Sequence, residues 1–519
     1  MARTACIECD MSNLIEKFLE KNGANLAAPA CIHDGKLVSR GAFLRAVCDF
    51  TAALSQKGVK PGDVVGLSLG QHPGHLAMIL AIARLGAVSL PVHPRSPMPA
   101  KLGLLKRMGA TRVVVQSLPP AKEGAEATPA AVDGLEVIAL ADLQPKEGEA
   151  RPDHKLDLRG MLDYWPPADA PARIALTSGT TGVPSAVCYD HAYWLDRIAT
   201  TVEFCDEQTR LMAGNLSLTM GNISAFAALF AGGVVVFYKQ HDLSAYVQTV
   251  NLYGVTHAMM APATIKRMAS RLPLGVAFPS IRYLRIVGGG LSEQLVKLVT
   301  TRLTPNVYLP YGISEMGAIC MASPEDLKLH PDHAGKPKSG VKLQVVDESD
   351  KVLAPGEVGE IRVKMPLMLP GYYLDEEKTK AKFKGGWFYT SDIGTLTKDG
   401  YVRIDGRKDD RINLGGNKFY PDRVERLLDG HPEVQEVAVF SAPLKGEPAL
   451  VAAVVWKSEP AMQSLLDYAK EHRLPASMAP KGVMSMAELP RNEAGKVVRS
   501  QLKALFEQGL HNNEKPVLH

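Results

Sequence analysis

The residues best suited to chemistry in this 519-residue chain fall in a few short segments. Thr177 to Pro184 reads TSGTTGVP and directly follows the strand-like run ARIAL. Glycines let backbone N–H groups turn toward one point, and Ser and Thr hydroxyls add donors. Such a loop can wrap a polyphosphate, and it suits a solvated turn equally well. No GxxxxGK[ST] sequence accompanies it. The run Gly288, Gly289 and Gly290 closes another strand-like stretch just before a helix start at Leu291-Ser292, which fits anion binding or a tight turn alike.

Further segments follow in a fixed order: YGISE (Tyr311 to Glu315), WFYTSD (Trp387 to Asp392), GRKDDRINLGG (Gly406 to Gly416) and PRNEAGK (Pro490 to Lys496). Together with TSGTTGVP, the series resembles the adenylate-forming superfamily of acyl-CoA synthetases and stand-alone adenylation domains. The resemblance covers nearly the whole chain, through GDVVGLSLG, PGEVGEIRV and GYYLDEEKTKAKFKGGW. It implies two half-reactions: a small carboxylic acid attacks the α-phosphorus of MgATP to give acyl-AMP and pyrophosphate, and a thiol then displaces AMP. Two anions must meet, so positive charge and fixed donors are needed where negative charge develops.

The resemblance also implies roles. Lys496 would bridge the attacking carboxylate and the α-phosphate. Glu315 would help hold Mg²⁺, a hard cation that takes oxygen ligands together with substrate phosphates. Thr177, Ser178, Gly179, Thr180, Thr181 and Gly182 would cradle the phosphates, and Ser314, where the family usually has threonine, would donate to one. Tyr311 and Gly312 would belong to the nucleotide site, with the Tyr311 ring flat against adenine. Asp392 would accept from the ribose hydroxyls, with Arg407 on the same sugar. Gly288 to Gly290 would border the acyl and nucleotide pocket. Asp409 would be the hinge of a mobile C-terminal domain, and Gly415 and Gly416 would let its backbone approach a pantetheine arm. The thiol would belong to coenzyme A or to the phosphopantetheine of a carrier protein. Too few residues follow Lys496 for a fused carrier domain, so a carrier would be a separate partner.

Some positions depart from the pattern. The family's loop usually continues Pro-Lys-Gly, whereas Pro184 is followed here by Ser185 and Ala186. A hydroxyl cannot offset phosphate charge, so pyrophosphate handling is expected to be slower or to lean on Mg²⁺, and Ser185→Lys to lower the apparent KM for ATP. Ser391 replaces the usual glycine beside Asp392. These changes leave a non-catalytic nucleotide-binding relative as an alternative. In NLSLTMGNISAF (Asn215 to Phe226), amino-acid-activating domains usually carry an aspartate for the α-ammonium; no acid occurs here. A buried ammonium without a counter-charge is costly, which disfavours an α-amino acid. Met220, Gly221 and Asn222 either line the acid pocket or pack a helix end.

The elements that must position these groups read as α/β. Lys60 to Val92 runs strand, helix, strand. Its apolar helix is interrupted by Arg84, too short a run to span a membrane, and is read as core. Leu118 to Pro171, rich in Pro, Gly and charge, reads as surface connection. After Val341 short alternating segments indicate a β meander, and after Gly406 an α+β unit follows with a helix at 421–428. The expected architecture is a large lobe of sheets covered by helices plus a β subdomain (1–408), followed by a smaller mobile α+β domain (409–519).

Composition excludes other classes. Lys and Arg number 59 against 55 Asp and Glu, a net +4 that is too weak for a dedicated nucleic-acid binder. Seven scattered cysteines describe no disulfide framework, and the lone CxxC at Cys6 and Cys9 lacks the partners of a zinc site. The opening residues show no signal-peptide pattern, so a cytoplasmic location is expected.

Overall fold

The computed structural model describes residues 13–117, 131–132, 134–145, 156–177, 184–238, 243–272, 277–289, 291–444, 446–458, 462–492 and 495–511. The chain forms two compact units. One comprises Met1–Ala258 with Leu367–Lys380, and the other Met259–Pro366 with Ala381–His519.

In the first unit a seven-stranded sheet runs in the order Ala131–Val132, Leu135–Ala139, Ala110–Val115, Val64–Ser68, Val88–Pro91, Pro171–Thr177, Ser185–Asp190. The five inner strands are parallel and the two edge pairings antiparallel. Val64–Ser68 and Val88–Pro91 are buried at every position, as a sheet covered on both faces requires. The helix Pro73–Arg84 connects them, so the expected βαβ unit is present. Its Arg84 is buried because Leu158 O and Tyr164 O accept from the guanidinium at 2.6 and 2.5 Å, while the Trp165 ring lies 4.6 Å beneath it.

One expectation fails here. Leu135–Ala139, inside the stretch read as surface connection, is a strand paired with Ala110–Val115. Only five residues long, its apolar run is masked by the Pro, Gly and charged residues around it. Cys6 and Cys9 lie outside the described residues.

The second unit contains the meander. Lys342–Val346, Gly359–Lys364, Trp387–Leu396 and Phe383–Lys384 are neighbours in that order, and Val402–Arg407 also pairs with Trp387–Leu396. Separately, Val307–Ile313 pairs parallel to Tyr283–Ile286 and antiparallel to Gly317–Ala322. The C-terminal part carries Val434–Leu444, Glu447–Trp456 and Gly482–Ser485 in one sheet, with helices Pro421–Leu428, Met462–Glu471 and Arg499–His511. Strand alternation divides its core: Val439, Leu450, Ala452 and Val454 pack with Val424 and Leu465, whereas Phe440, Val451 and Ala453 pack with Leu502 and Phe506. Asp429 ties this part down within the unit, accepting from Lys266 Nζ at 2.5 Å and Ser292 Oγ at 2.9 Å. Among the described residues no helix is long and apolar enough to cross a membrane.

Candidate active site

Tyr311 stands near the end of Val307–Ile313, where the hairpin to Gly317–Ala322 changes register between Tyr311 and Gly312. Such a bulge re-aims the side chains beside it. Gly312 is required there for space: a Cβ would stand 2.3 Å from Gly317 O. Ser314, Glu315 and Met316 form the turn, closed by Gly317 at a φ of 73°. The YGISE segment is therefore a strand end and the first two residues of a three-residue turn, with Glu315 buried.

The half-buried Tyr311 donates its hydroxyl to Asp392 Oδ2 at 2.6 Å. Asp392, buried on Trp387–Leu396, lies directly across the ladder from Arg407, whose Nη1 reaches Oδ1 at 3.3 Å. Burial raises the Asp392 pKa above the ordinary carboxylate value, opposed by the charge of Arg407, the Tyr311 hydroxyl and the charge of Lys496. Burial and the neighbouring carboxylate likewise push the Tyr311 phenol well up. Tyr311, Asp392, Arg407 and Lys496, separate in sequence, thus form one electrostatic neighbourhood.

The turn that presents Lys496 is held by its own backbone. Gly495 N–H donates to Asn492 O at 2.9 Å with φ at 78°, and Asn492 Oδ1 accepts from Lys496 N–H at 3.0 Å. Arg491 caps Gly495 O at 2.6 Å and pairs with Glu436. The side chain of Lys496 is exposed.

Residues 18–373 match the family described as AMP-binding enzyme, and residues 423–496 match the AMP-binding enzyme C-terminal domain. The chain belongs to the AMP-binding enzyme family. The 2-succinylbenzoate–CoA ligase of Bacillus thuringiensis subsp. konkukian is 27% identical over 467 residues, covering 88% of this chain and 91% of that protein. The 4-chlorobenzoate–CoA ligase of an Arthrobacter species is 27% identical over 500 residues, with 93% and 92% covered. A fatty acid–acyl-carrier-protein ligase of Streptomyces coeruleorubidus is 27% identical over 507 residues, with 92% and 93% covered. The fold is that of o-succinylbenzoate coenzyme A synthetase from Bacillus subtilis, solved with ATP and magnesium: TM-score 0.82, 24% identity, 94% of this chain and 99% of that one covered.

In this AMP-binding enzyme the remaining expected residues stand as follows. Thr177 is buried at the end of Pro171–Thr177, and Ser178, Gly179, Thr180, Thr181, Gly182 and Gly290 lie outside the described residues. Gly288 adopts a left-handed φ of 93°, as a tight turn after Tyr283–Ile286 requires. Met220, Gly221 and Asn222 occupy the start of the helix Thr219–Phe230. Gly221 is packed, since a Cβ would stand 2.1 Å from Asn215 O. Buried Asn222 has no hydrogen-bond partner for its amide among the described residues. Asp409 is exposed in the 3₁₀ turn Lys408–Asp410, and Gly415 and Gly416 form the open turn between Ile412–Leu414 and Asn417–Phe419.

Sequence reading assigned no role to Lys382 or Lys378. Ser391, buried beside Asp392, has a φ of 63°, a left-handed conformation rare for a residue with a Cβ. Its hydroxyl accepts from Lys382 Nζ, and its N–H donates to Glu360 Oε1 at 3.2 Å. Lys378 Nζ donates to Ser185 Oγ, the position where the family's loop lysine is replaced. The substitutions at 185 and 391 were the available signals, but the partners are visible only in the folded chain.

Proposed function

We propose that this chain is an AMP-forming acid–thiol ligase of the acyl- or aryl-CoA type. The carrying observation is the contact of Tyr311 and Arg407 with Asp392, within reach of the Lys496 charge. A carboxylate oxygen forms a bond to the α-phosphorus of ATP as the bond to pyrophosphate breaks; a thiolate then attacks the acyl carbon and AMP leaves. Lys496 offsets the charge that accumulates between acid and α-phosphate. Asp392 accepts from ribose hydroxyls, Arg407 holds it in place, and the Tyr311 ring offers a face to adenine, its hydroxyl occupied by Asp392.

Glu315 fits a magnesium site shared with substrate. No group of three or more His, Cys, Asp or Glu that could hold a metal occurs among the described residues, and Mg²⁺ commonly takes one or two carboxylates plus phosphate oxygens. When bound, the ion neutralises phosphate charge. Asp409 is the hinge of a small domain 409–519, a reading supported by the separate C-terminal match at 423–496. The acid is small and carries no α-ammonium, since Asn215 to Phe226 holds no acidic residue. Coenzyme A is the favoured acceptor; loading of a separate carrier is the second reading, favoured by the similarity to a carrier-protein ligase. The location is cytoplasmic, where ATP and coenzyme A are at hand.

The test is exchange of labelled pyrophosphate into ATP across aliphatic, aryl and amino-bearing acids, followed by incubation with coenzyme A or carrier protein. Acid-dependent exchange is expected with an aryl or aliphatic acid. Lys496→Ala is expected to lower it at least about 100-fold with MgATP binding largely kept. No exchange with any acid would leave the non-catalytic alternative standing.

A further inference from the structure

Pyrophosphate leaves with several negative charges, while TSGTTGVP and Ser185 offer only neutral donors. Thr177 and Ser185 are register partners of the antiparallel pair Pro171–Thr177 and Ser185–Asp190. Thr177 and Ser185 therefore stand side by side at the carboxyl end of a parallel strand, where open α/β sheets bind ligands.

Two cations from distant segments converge on that point. Lys378, 193 residues from Ser185 in sequence, donates its Nζ to Ser185 Oγ. Arg107 donates Nη2 to Pro184 O at 2.8 Å. The position of Lys378 is built rather than incidental. Tyr373 N–H donates to Ala186 O at 2.7 Å, which fastens this segment to the strand. Tyr372 N–H donates to Thr379 Oγ1 at 2.8 Å, and Asp375 Oδ1 accepts from Lys378 N–H at 2.9 Å. The ammonium itself lies 4.6 Å from the centre of the Tyr372 ring. Among the described residues it meets a hydroxyl and an aromatic face, and no carboxylate neutralises it. A cation held this way keeps its charge for an incoming anion.

We propose that Lys378 supplies the phosphate-facing positive charge of this enzyme, docked on Ser185 beside the carboxyl end of Pro171–Thr177, with Arg107 as its flanking cation. This rests on the ligase reading and deepens it. It also changes the expectation for Ser185→Lys: with Lys378 present, that substitution sets two ammonium groups against each other and brings little gain. The serine at position 185 is then an exchange of where the cation is anchored rather than its loss.

The experiment uses the full chain, with calorimetric binding of MgATP and of inorganic pyrophosphate beside the exchange assay. Lys378→Met keeps the stem over Tyr372 and removes the charge. It is expected to weaken pyrophosphate binding and raise the KM for MgATP about tenfold, and to flatten the salt dependence of binding. In the Lys378→Met background, Ser185→Lys is expected to restore affinity to within about threefold of wild type, because it returns the charge without the bond. Ser185→Ala in that background restores nothing. Unchanged binding in Lys378→Met overturns the inference, as does a loss that Ser185→Lys fails to restore in a variant of wild-type melting temperature. If the wild type binds neither MgATP nor pyrophosphate, the ligase reading fails and takes this inference with it. If it binds both and Lys378→Met binds them equally, only this inference fails.

Discussion

The hydroxyl of Tyr311 and the carboxylate of Asp392 meet at 2.6 Å, joining the hairpin strand Val307–Ile313 to the meander strand Trp387–Leu396 across 81 residues of sequence. Each constrains the other: the carboxylate fixes the phenol, and the phenol satisfies one oxygen of a buried acid.

Tyr311→Phe removes that donor and keeps the ring. A buried acceptor left without its partner costs about 1–3 kcal/mol, so the melting temperature should fall. The Asp392 pKa should rise further, because the hydroxyl opposes the effect of burial. A raised KM for ATP with a smaller change in kcat would accompany this. Unaltered thermal unfolding and unaltered KM together would show that the contact contributes nothing.

Ser391 reverses the usual preference for alanine over glycine. At a φ of 63°, a Cβ costs about 1–2 kcal/mol that glycine does not incur. Ser391→Ala keeps that strain and loses the bond from Lys382, whereas Ser391→Gly loses the bond and the strain. The glycine variant should therefore be the more stable of the two by about 1 kcal/mol in denaturant titrations. If alanine proves the more stable, the left-handed backbone at this site is wrong.

Two buried histidines give the first unit an acid limit. Burial lowers His75 to about 3 and His191 to about 4, against 6.5 for a free ring. Their folded values lie below the unfolded one, so the stability they contribute is complete above pH 6.5 and is lost as pH falls through about 4 and toward 3. The loss is about 5 kcal/mol for His75 and about 3 kcal/mol for His191. Neither ring nitrogen of His191 has a hydrogen-bond partner among the described residues, so His191→Leu sacrifices none of those bonds and should flatten the pH–stability curve. An equally steep curve in that variant would assign the acid limit elsewhere.

Much of the fold was legible because local pattern and tertiary outcome agree. The strand, helix and strand of Lys60 to Val92 have the periods that a covered parallel sheet demands, and the helix at 421–428 is where its apolar spacing puts it. Leu135–Ala139 was not legible, since five residues carry too little pattern against polar flanks. In the site, segment order pointed to Tyr311, Asp392, Arg407 and Lys496, and the first three touch in the folded chain. Gly312 shows the limit of motif reading. Its place in YGISE marks it for the nucleotide site, but the motif does not record that a Cβ there would also meet the backbone of Gly317.

By itself the sequence determined the class of elements, the family segments and which residues could bear charge, because these depend on composition and short spacing. Only the tertiary structure decided that Ser391 lies in the left-handed region with Lys382 on its hydroxyl, and that Lys378 stands on Ser185. Both depend on long side chains reaching across space to a hydroxyl. Chain closure over 193 residues is set by the packing of whole sheets, so nothing in the neighbouring letters of either residue records it.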